Sequence, residues 1–154
     1  MQRNAKCKMQ NAKCQNANEC KMSNVMALEV AVGTYDGGGE IRERSFRFAV
    51  RVVRLCQHLD ERPGVGRTLG RQLIRSGTSV GANLEEAKAG HSRADFVAKC
   101  SISLKEARET HYWLRLVAET ELVAKDRLVP MLAECDEITR VLGAIIVATR
   151  SHTR

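Results

Sequence analysis

The chain has 154 residues, of which 25 are basic and 18 acidic, and 44% are hydrophobic. This length and this hydrophobic content are typical of one globular domain with its own core. Only 4% of the residues are aromatic, so platforms of several rings for stacking single-stranded bases are not expected. The apolar run at residues 142–148 is far shorter than the roughly 20 residues that a membrane-spanning helix needs. We therefore expect a soluble cytoplasmic protein that does not enter a membrane.

Residues 1–40 differ in character from the rest of the chain. The motif Asn-Ala-Lys-Cys occurs at 4–7 and again at 11–14, and a looser copy follows at 16–22. Three copies of the heptanucleotide AATGCAA, read in all three frames, would encode residues 4–10. We therefore expect residues 1–40 to be a low-complexity, disordered extension before a domain at 41–154, with translation starting at Met22 or Met26 rather than Met1. A Lys- and Cys-rich tail that binds metal or nucleic acid is the alternative.

The six cysteines do not form a recognisable framework. None belongs to a Cys-x-x-Cys pair, and no Cys and His residues cluster with the spacing of a zinc site. Buried thiols that act as small hydrophobic side chains are the favoured interpretation. No metal site and no cofactor are therefore predicted. The cysteines outside the extension are Cys56, Cys100 and Cys135.

From Ile41 onward, apolar residues recur at spacings of three and four, which predicts helices. The second helix is expected from residue 66 or 67 to Ala89, the third from Arg93 to about Ala118, and the fourth from about Asp126 to Thr149. Strand signals are absent. Four long helices with short connections predict an all-α, antiparallel up-down four-helix bundle. The apolar stripe of the first helix comprises Phe46, Ala49, Val50, Val53, Cys56 and Leu59.

The later helices have predicted buried faces of the same kind. In the third helix this face comprises Phe96, Cys100, Ser103, Leu104, Ala107, Leu114 and Val117. In the fourth helix it comprises Leu128, Leu132, Cys135, Ile138, Leu142 and Ile145.

The second helix contains a run of small residues. Gly77 and Gly81 lie four residues apart on one face, and each glycine costs a helix about 1 kcal/mol relative to Ala. A close approach of another helix would compensate for this cost, so we predict that Gly77, Gly81 and Asn83 lie at a helix or subunit contact. A phosphate-binding loop is the alternative, but the spacing fits neither of its common fingerprints. Tyr112 and Trp113 are assigned to the same kind of contact.

Carboxylates in the second and third helices raise the question of a two-metal site. Such bundles use Glu-x-x-His pairs on two helices, and this spacing does not occur anywhere in the chain. Ion pairs with Arg75, Arg108 or Lys88 are the preferred explanation for these carboxylates. No catalytic residue is nominated, because His111 has no evident nucleophile or acid partner in the sequence. The carboxylates in question are Glu85, Glu86, Glu106 and Glu109.

Positive charge is concentrated early in the helical region. Residues 42–75 contain nine arginines and three acidic residues, a local charge of +6. Arginine suits bidentate contacts with phosphate, so these faces are candidates for binding a nucleic-acid backbone with little sequence specificity. Solvated helix faces whose arginines pair with neighbouring acids are the alternative. The candidates form two stripes, Arg44, Arg47, Arg51 and Arg54 in the first helix and Arg67, Arg71 and Arg75 in the second.

Three linked motifs resemble a known family. Residues 75–87 read RSGTSVGANLEEA, residues 92–96 read SRADF, and residues 104–116 read LKEARETHYWLRL. In this succession the chain is similar, over about residues 41–150, to the bacterial 23S ribosomal RNA intervening-sequence proteins. The resemblance implies an up-down bundle that assembles as a ring-like homopentamer, with a largely undefined role. A related branch comprises accessory variability proteins of diversity-generating retroelements, which bind reverse transcriptase and nucleic acid.

Together these observations predict a non-enzymatic, oligomeric four-helix-bundle scaffold or adaptor whose partner is RNA or another nucleic acid. An accessory subunit of a reverse transcriptase is one alternative. A metal-binding or small enzymatic bundle is another.

Overall fold

The computed structural model describes residues 40–61 and 64–151. Residues 1–39, to which the expectations about the repeat and the start sites apply, lie outside the described ranges. Within the described ranges the chain forms helices and no strand, which confirms the predicted all-α class. The helices are α1 (Glu40–Asp60), α2 (Val65–Ala89), α3 (Arg93–Glu119) and α4 (Lys125–Ser151).

Contacts between the helices establish their directions. Arg42 near the start of α1 pairs with Glu85 near the end of α2, whereas the Cys56 thiol donates to the Gly70 carbonyl at the opposite end. Consecutive helices therefore run antiparallel here, as they also do from α2 to α3 and from α3 to α4. Each helix packs extensively against the next, but α1 and α4 have much less contact with each other. The helices thus form a bundle that is least tightly closed between α1 and α4.

Two of the connections have specific local causes. The Ser92 side chain accepts a hydrogen bond of 3.1 Å from the Asp95 amide and so caps the start of α3. Gly90 ends α2 in an extended conformation, and a Cβ at this position would lie only 2.6 Å from the Asp95 carboxylate. Glycine therefore leaves room for the Asp95 side chain beside the α3 cap, and its backbone here is not left-handed.

All four helices contribute buried apolar side chains to the core. Most predicted core residues of α3 and α4 are buried, although Phe96, Leu104, Leu132 and Ile145 are only half-buried. In α4, Met131 and Ile146 are buried instead of their chain neighbours at 132 and 145. The fully buried large side chains include Leu73, Val80, Leu114, Val117, Leu128, Ile138 and Leu142.

The predicted core stripe of α1 is wrong in most of its residues. Cys56 and Leu59 are buried, but Phe46 is 62% exposed and the rest of that stripe is half-buried. The helix has a second apolar face, which the structure turns inward. The prediction of a helix is confirmed, but periodicity cannot decide which of two apolar faces of that helix points to the core. The buried residues of α1 are Ser45, Phe48, Val52, Leu55, Cys56 and Leu59.

Gly77 determines how closely α1 approaches α2. A Cβ at Gly77 would lie 2.7 Å from one Val52 methyl carbon and 3.0 Å from the other. Val52 itself is completely buried, so its methyl groups have little space into which to move. At Gly81 a Cβ would make only ordinary contacts of 3.7 Å with the Ser45 backbone. Both glycines thus face α1, and the tight contact is at Gly77.

We predict that Gly77→Ala destabilises the protein. The added methyl group would overlap with Val52, and overpacking of this kind costs about 1–3 kcal/mol, which exceeds the helix-propensity gain of about 1 kcal/mol. Gly143→Ala is the matched control, since nothing lies within 4 Å of a Cβ at Gly143, and it should stabilise by up to about 1 kcal/mol. Urea unfolding at one fixed protein concentration measures both changes. Equal stability of the two variants would contradict the close-packing explanation.

Candidate functional site

The two predicted arginine stripes lie on the first two helices of the bundle. On α1, Arg47 is exposed and the other three arginines are half-buried, whereas the three arginines of α2 are all exposed. Most of these guanidinium groups already have a carboxylate partner within the chain. The charge that they present to an external phosphate therefore depends on these ion pairs.

Arg44 and Arg51 converge on one carboxylate of α4. Arg44 Nε lies 3.6 Å from Glu134 Oε1, and Arg51 Nη2 contacts Glu134 Oε2. Each arginine side chain is only 25% exposed and that of Glu134 only 20%. Burial, and secondarily the charge of Arg44, lower the pKa of Arg51 from its ordinary value. This cluster joins α1 to α4 where these two helices otherwise have little contact.

Three further arginines of the stripes have carboxylate partners within the chain. Arg47 donates to Glu43 one turn earlier at 2.8 Å, and Arg67 donates to Asp60 across the first connection at 2.6 Å. Arg75 pairs with Glu109 of α3, a partnership of the kind that the sequence favours for these carboxylates. Among the described residues, only Arg54 and Arg71 of the seven candidates have no ion-pair partner. Internal pairing thus neutralises much of the predicted basic surface.

An apolar groove runs between α1 and α2 on the outside of the bundle. Its volume is about 830 Å³, and its floor and walls include Phe46, Val50 and Val53 of α1 and Ala82 of α2. Phe46, Val50 and Val53 belong to the α1 face that does not point to the core. The 3.2 Å ion pair between Arg42 and Glu85 borders the groove. The groove is an accessible apolar surface with a charged rim, which is typical of a protein contact.

The other predicted packing residues lie at different places. Asn83 is half-buried on α2, and its amide donates to the Ser79 carbonyl of the preceding turn at 2.8 Å. Trp113 is half-buried on α3, whereas Tyr112 is 56% exposed. The structure therefore does not bring the glycines and the two aromatic residues together into one contact.

The outer face of α3 is a basic surface that the sequence interpretation missed. Lys105, Arg108 and Arg115 are all exposed, and within the described ranges none of them has an ion-pair partner at 4 Å or less. The sequence interpretation treated Arg108 as a partner for glutamates and counted charge only along chain segments. This surface could have been predicted from the spacing of three and seven residues between these cations, since that spacing places them on one side of a helix.

Neither a metal centre nor a reactive thiol emerges from the part of the chain that the structure describes. No three His, Cys, Asp or Glu side chains in residues 40–61 and 64–151 are close enough to hold a metal ion. Burial raises the pKa of the Cys56 and Cys135 thiols to about 12, and it also raises that of Cys100. These three cysteines therefore remain protonated and unreactive at neutral pH. None of the four described helices is both long and apolar enough to cross a membrane.

Comparison with known proteins identifies the family of this bundle. The family model of the 23S rRNA-intervening sequence protein matches residues 39–144. The chain belongs to this family. A crystal structure at 1.70 Å resolution of a protein of unknown function from the S23 ribosomal protein family of Bacteroides thetaiotaomicron is also similar. It is 40% identical, with a TM-score of 0.66, over 71% of this chain and 96% of that chain. No curated protein matches the sequence.

Membership of the intervening-sequence family confirms the resemblance that the three motifs indicate. The matched range begins one residue before α1 and ends within α4, so it includes both arginine stripes, the groove and the basic face of α3. The similar crystal structure has no assigned function. The surfaces of this chain, rather than its relatives, must therefore suggest what it binds.

We predict that Glu134→Gln destabilises the bundle by about 1–3 kcal/mol, because it leaves Arg44 and Arg51 half-buried with only each other's positive charge nearby. This range is below the cost of breaking a fully buried pair, since the three side chains remain partly exposed to water. Glu137→Gln is the control, because Glu137 pairs with Arg140 on the exposed side of α4 and should change stability by less than about 0.5 kcal/mol. Chemical denaturation of both variants checks the difference. If Glu134→Gln and Glu137→Gln unfold at the same urea concentration, the cluster does not hold α1 against α4.

Proposed function

We propose that this member of the intervening-sequence family is a non-enzymatic, homo-oligomeric scaffold in the cytoplasm, whose subunits associate through the α1–α2 groove. The exposed apolar face of α1 is the observation that supports this proposal. Phe46 is 62% exposed in a groove whose other walls are also mainly apolar. An apolar side chain of this size gains about 1.5–3 kcal/mol when it is fully buried, so a second subunit would stabilise this face by covering it.

A ring requires a second, different surface on each subunit. Closed rings are built from heterologous contacts, in which one patch of a subunit meets another patch of its neighbour. The outer face of α4 is the candidate, because it carries Val129 and Val147, which are 56% and 67% exposed. They are separated by 18 residues, which is five helical turns, and therefore lie on the same side of α4 about 27 Å apart. A homopentamer is the ring that the family resemblance implies.

We further propose that the cargo of the scaffold is nucleic acid, bound mainly through its phosphates. Residues 26–154 carry 20 basic and 17 acidic side chains, a net charge of +3, and several exposed arginines and lysines of the described helices have no internal partner. Repetition around a ring would bring these cations together on one assembly. No element for reading base edges is evident, so binding would be weakly sequence-specific.

We predict that the wild-type protein has the mass of an oligomer and that Phe46→Glu lowers this mass to that of a monomer. A carboxylate in the groove would lose hydration on association without gaining a partner. Multi-angle light scattering at micromolar concentration measures the mass, and circular dichroism checks that the helices persist. Val65→Glu is the matched control, since Val65 is 66% exposed outside the groove, and it should retain the oligomer. A monomeric wild type, or an oligomeric Phe46→Glu variant, would overturn the proposed interface.

We predict that the wild-type protein binds nucleic acid with micromolar or stronger affinity at low salt, and that the affinity falls steeply as salt is added. Release of counterions sets the slope of log K against log salt at about −0.9 per contacted phosphate on duplex DNA and about −0.7 on single strands. Fluorescence anisotropy with labelled RNA and DNA at several salt concentrations measures this slope. Absence of binding at low salt would exclude a nucleic-acid cargo, whereas the proposal of an oligomer formed through the α1–α2 groove would be unaffected.

A further inference from the structure

The outer face of α3 combines positive charge with one exposed aromatic ring. Lys105, Arg108, Tyr112 and Arg115 are all exposed, and their spacing of three, four and three residues places them within one side of the helix. At 1.5 Å per residue this face is about 15 Å long. We call these four residues the α3 basic face. None of them lines the α1–α2 groove, so an oligomer formed through that groove could leave the face open.

Three acidic groups near this face have other partners. Glu109 is bound by Arg75 of α2, and Asp136 of α4 lies 3.3 Å from His111. At the end of the face, Glu119 accepts a hydrogen bond of 2.8 Å from Lys125. That bond, and to a smaller extent the charge of Arg115, lower the pKa of Glu119. The cations of the α3 basic face are therefore available to an external anion.

The ring of Tyr112 packs against that of its chain neighbour Trp113. Its centroid lies 4.9 Å from that of Trp113, and the two planes make an angle of 74°, so the rings pack edge to face. The Trp113 indole in turn donates a hydrogen bond of 3.1 Å to Glu109, the carboxylate that also binds Arg75. Tyr112 nevertheless remains 56% exposed. The result is a supported aromatic surface that a planar ligand could cover.

Along the helix, Tyr112 lies between two arginines. Arg108 is about 6 Å before it and Arg115 is about 4.5 Å after it, measured along the helix axis. Proteins that bind single strands without sequence preference combine such cations, which contact the backbone, with aromatic rings on which bases stack. A duplex keeps its bases inside and would use only the cations. The position of the ring between the cations therefore favours an unpaired strand.

We propose that the α3 basic face binds single-stranded nucleic acid, with a base stacked on Tyr112 and backbone phosphates on Arg108 and Arg115. This inference rests on the proposed nucleic-acid cargo and assigns it to a site outside the two predicted arginine stripes. Lys105 extends the contact by a further phosphate. One stacking ring for each subunit is compatible with the low aromatic content of the chain, because a ring of subunits would repeat the position.

The test uses the full chain, a labelled 20-nucleotide single strand of mixed sequence and a duplex of the same length. Anisotropy is measured over a series of salt concentrations. The variants are Tyr112→Ala, Tyr112→Phe and the triple variant Lys105→Ala/Arg108→Ala/Arg115→Ala. A second triple variant, Lys88→Ala/Arg127→Ala/Arg150→Ala, removes the same charge from positions that lie outside the α3 basic face. Thermal melting and light scattering confirm that all variants keep their fold and assembly.

We expect the α3 triple variant to weaken single-strand binding at least about tenfold and to make the salt slope shallower by about 2, since about 0.7 is lost for each phosphate contact. Tyr112→Ala should weaken single-strand binding roughly 5- to 100-fold, as loss of one base–aromatic stack does, and should affect the duplex much less. Tyr112→Phe should bind like the wild type, because the phenyl ring still stacks. The charge-matched control should change affinity by less than about threefold, because it removes no direct contact.

Different failures identify different errors. If the wild type binds no nucleic acid at low salt, the proposed cargo is wrong and this site falls with it. If the wild type binds but the α3 triple variant binds equally well, only this site is wrong. Loss of binding on alanine substitution of Arg54 and Arg71, with the α3 variants unaffected, would instead place the site on the predicted stripes. Equal competition by polyglutamate, with no effect of Tyr112→Ala, would overturn the proposal in favour of an acidic protein partner.

Discussion

The contact between Gly77 and Val52 fixes the rotation of α1, and most surface features of the described helices depend on that rotation. Because Gly77 has no side chain, Val52 can pack directly against the α2 backbone, where a Cβ would lie only 2.7 Å away. Phe48 and Leu55 follow Val52 into the core, since they lie on the same side of α1. The same rotation turns Phe46 and Val50 outward, into the groove beside α2. The exposed apolar face of α1 is therefore a consequence of how its buried face packs.

The rotation of α1 also determines the electrostatics of the first arginine stripe. Arg44 and Arg51 point toward α4, where Glu134 accepts both of them. In a region with little apolar contact between α1 and α4, this cluster has a structural role. Two half-buried arginines that share one carboxylate are poorly placed to meet an external phosphate, because leaving Glu134 would cost the bundle this link. The basic surface that remains available lies on α3, where the exposed cations Lys105, Arg108 and Arg115 have no ion-pair partner within the described ranges.

The family relationship explains the architecture but leaves the function to the surfaces. A similar protein with 40% identity, whose own function is unknown, has a closely related fold. Folds of this kind support many unrelated activities. The features of this chain that decide what it binds are therefore its exposed side chains, such as Phe46 and Tyr112. These residues contribute little to the core of a single subunit, so the fold alone gives no reason for their exposure.

The individual helices show how much of the fold is predictable from the sequence. Apolar residues at spacings of three and four predicted the start of α1 and both ends of the other three helices to within about two residues, because the hydrophobic period reflects burial on one side of a helix. The close approach of another helix at Gly77 was also predicted, because glycines inside a helix lower its stability unless a tight contact compensates for them. The family was predicted from three linked motifs, which can be recognised in the sequence without a structure.

Which side of each helix meets which neighbour follows from the packing of the whole bundle and not from local patterns. In α1, two apolar faces of similar length compete, and periodicity favours neither, so the predicted stripe included Phe46 and omitted Phe48. The pairing of Arg44 and Arg51 with Glu134 joins positions more than 80 residues apart, and no local pattern encodes such a contact. The isolation of Lys105, Arg108 and Arg115 depends in the same way on where the acidic residues of α2 and α4 fall. The sequence determined the helices and their ends because these follow from short-range preferences. The functional surfaces were decided by packing, because they depend on which side chains packing leaves exposed and unpaired.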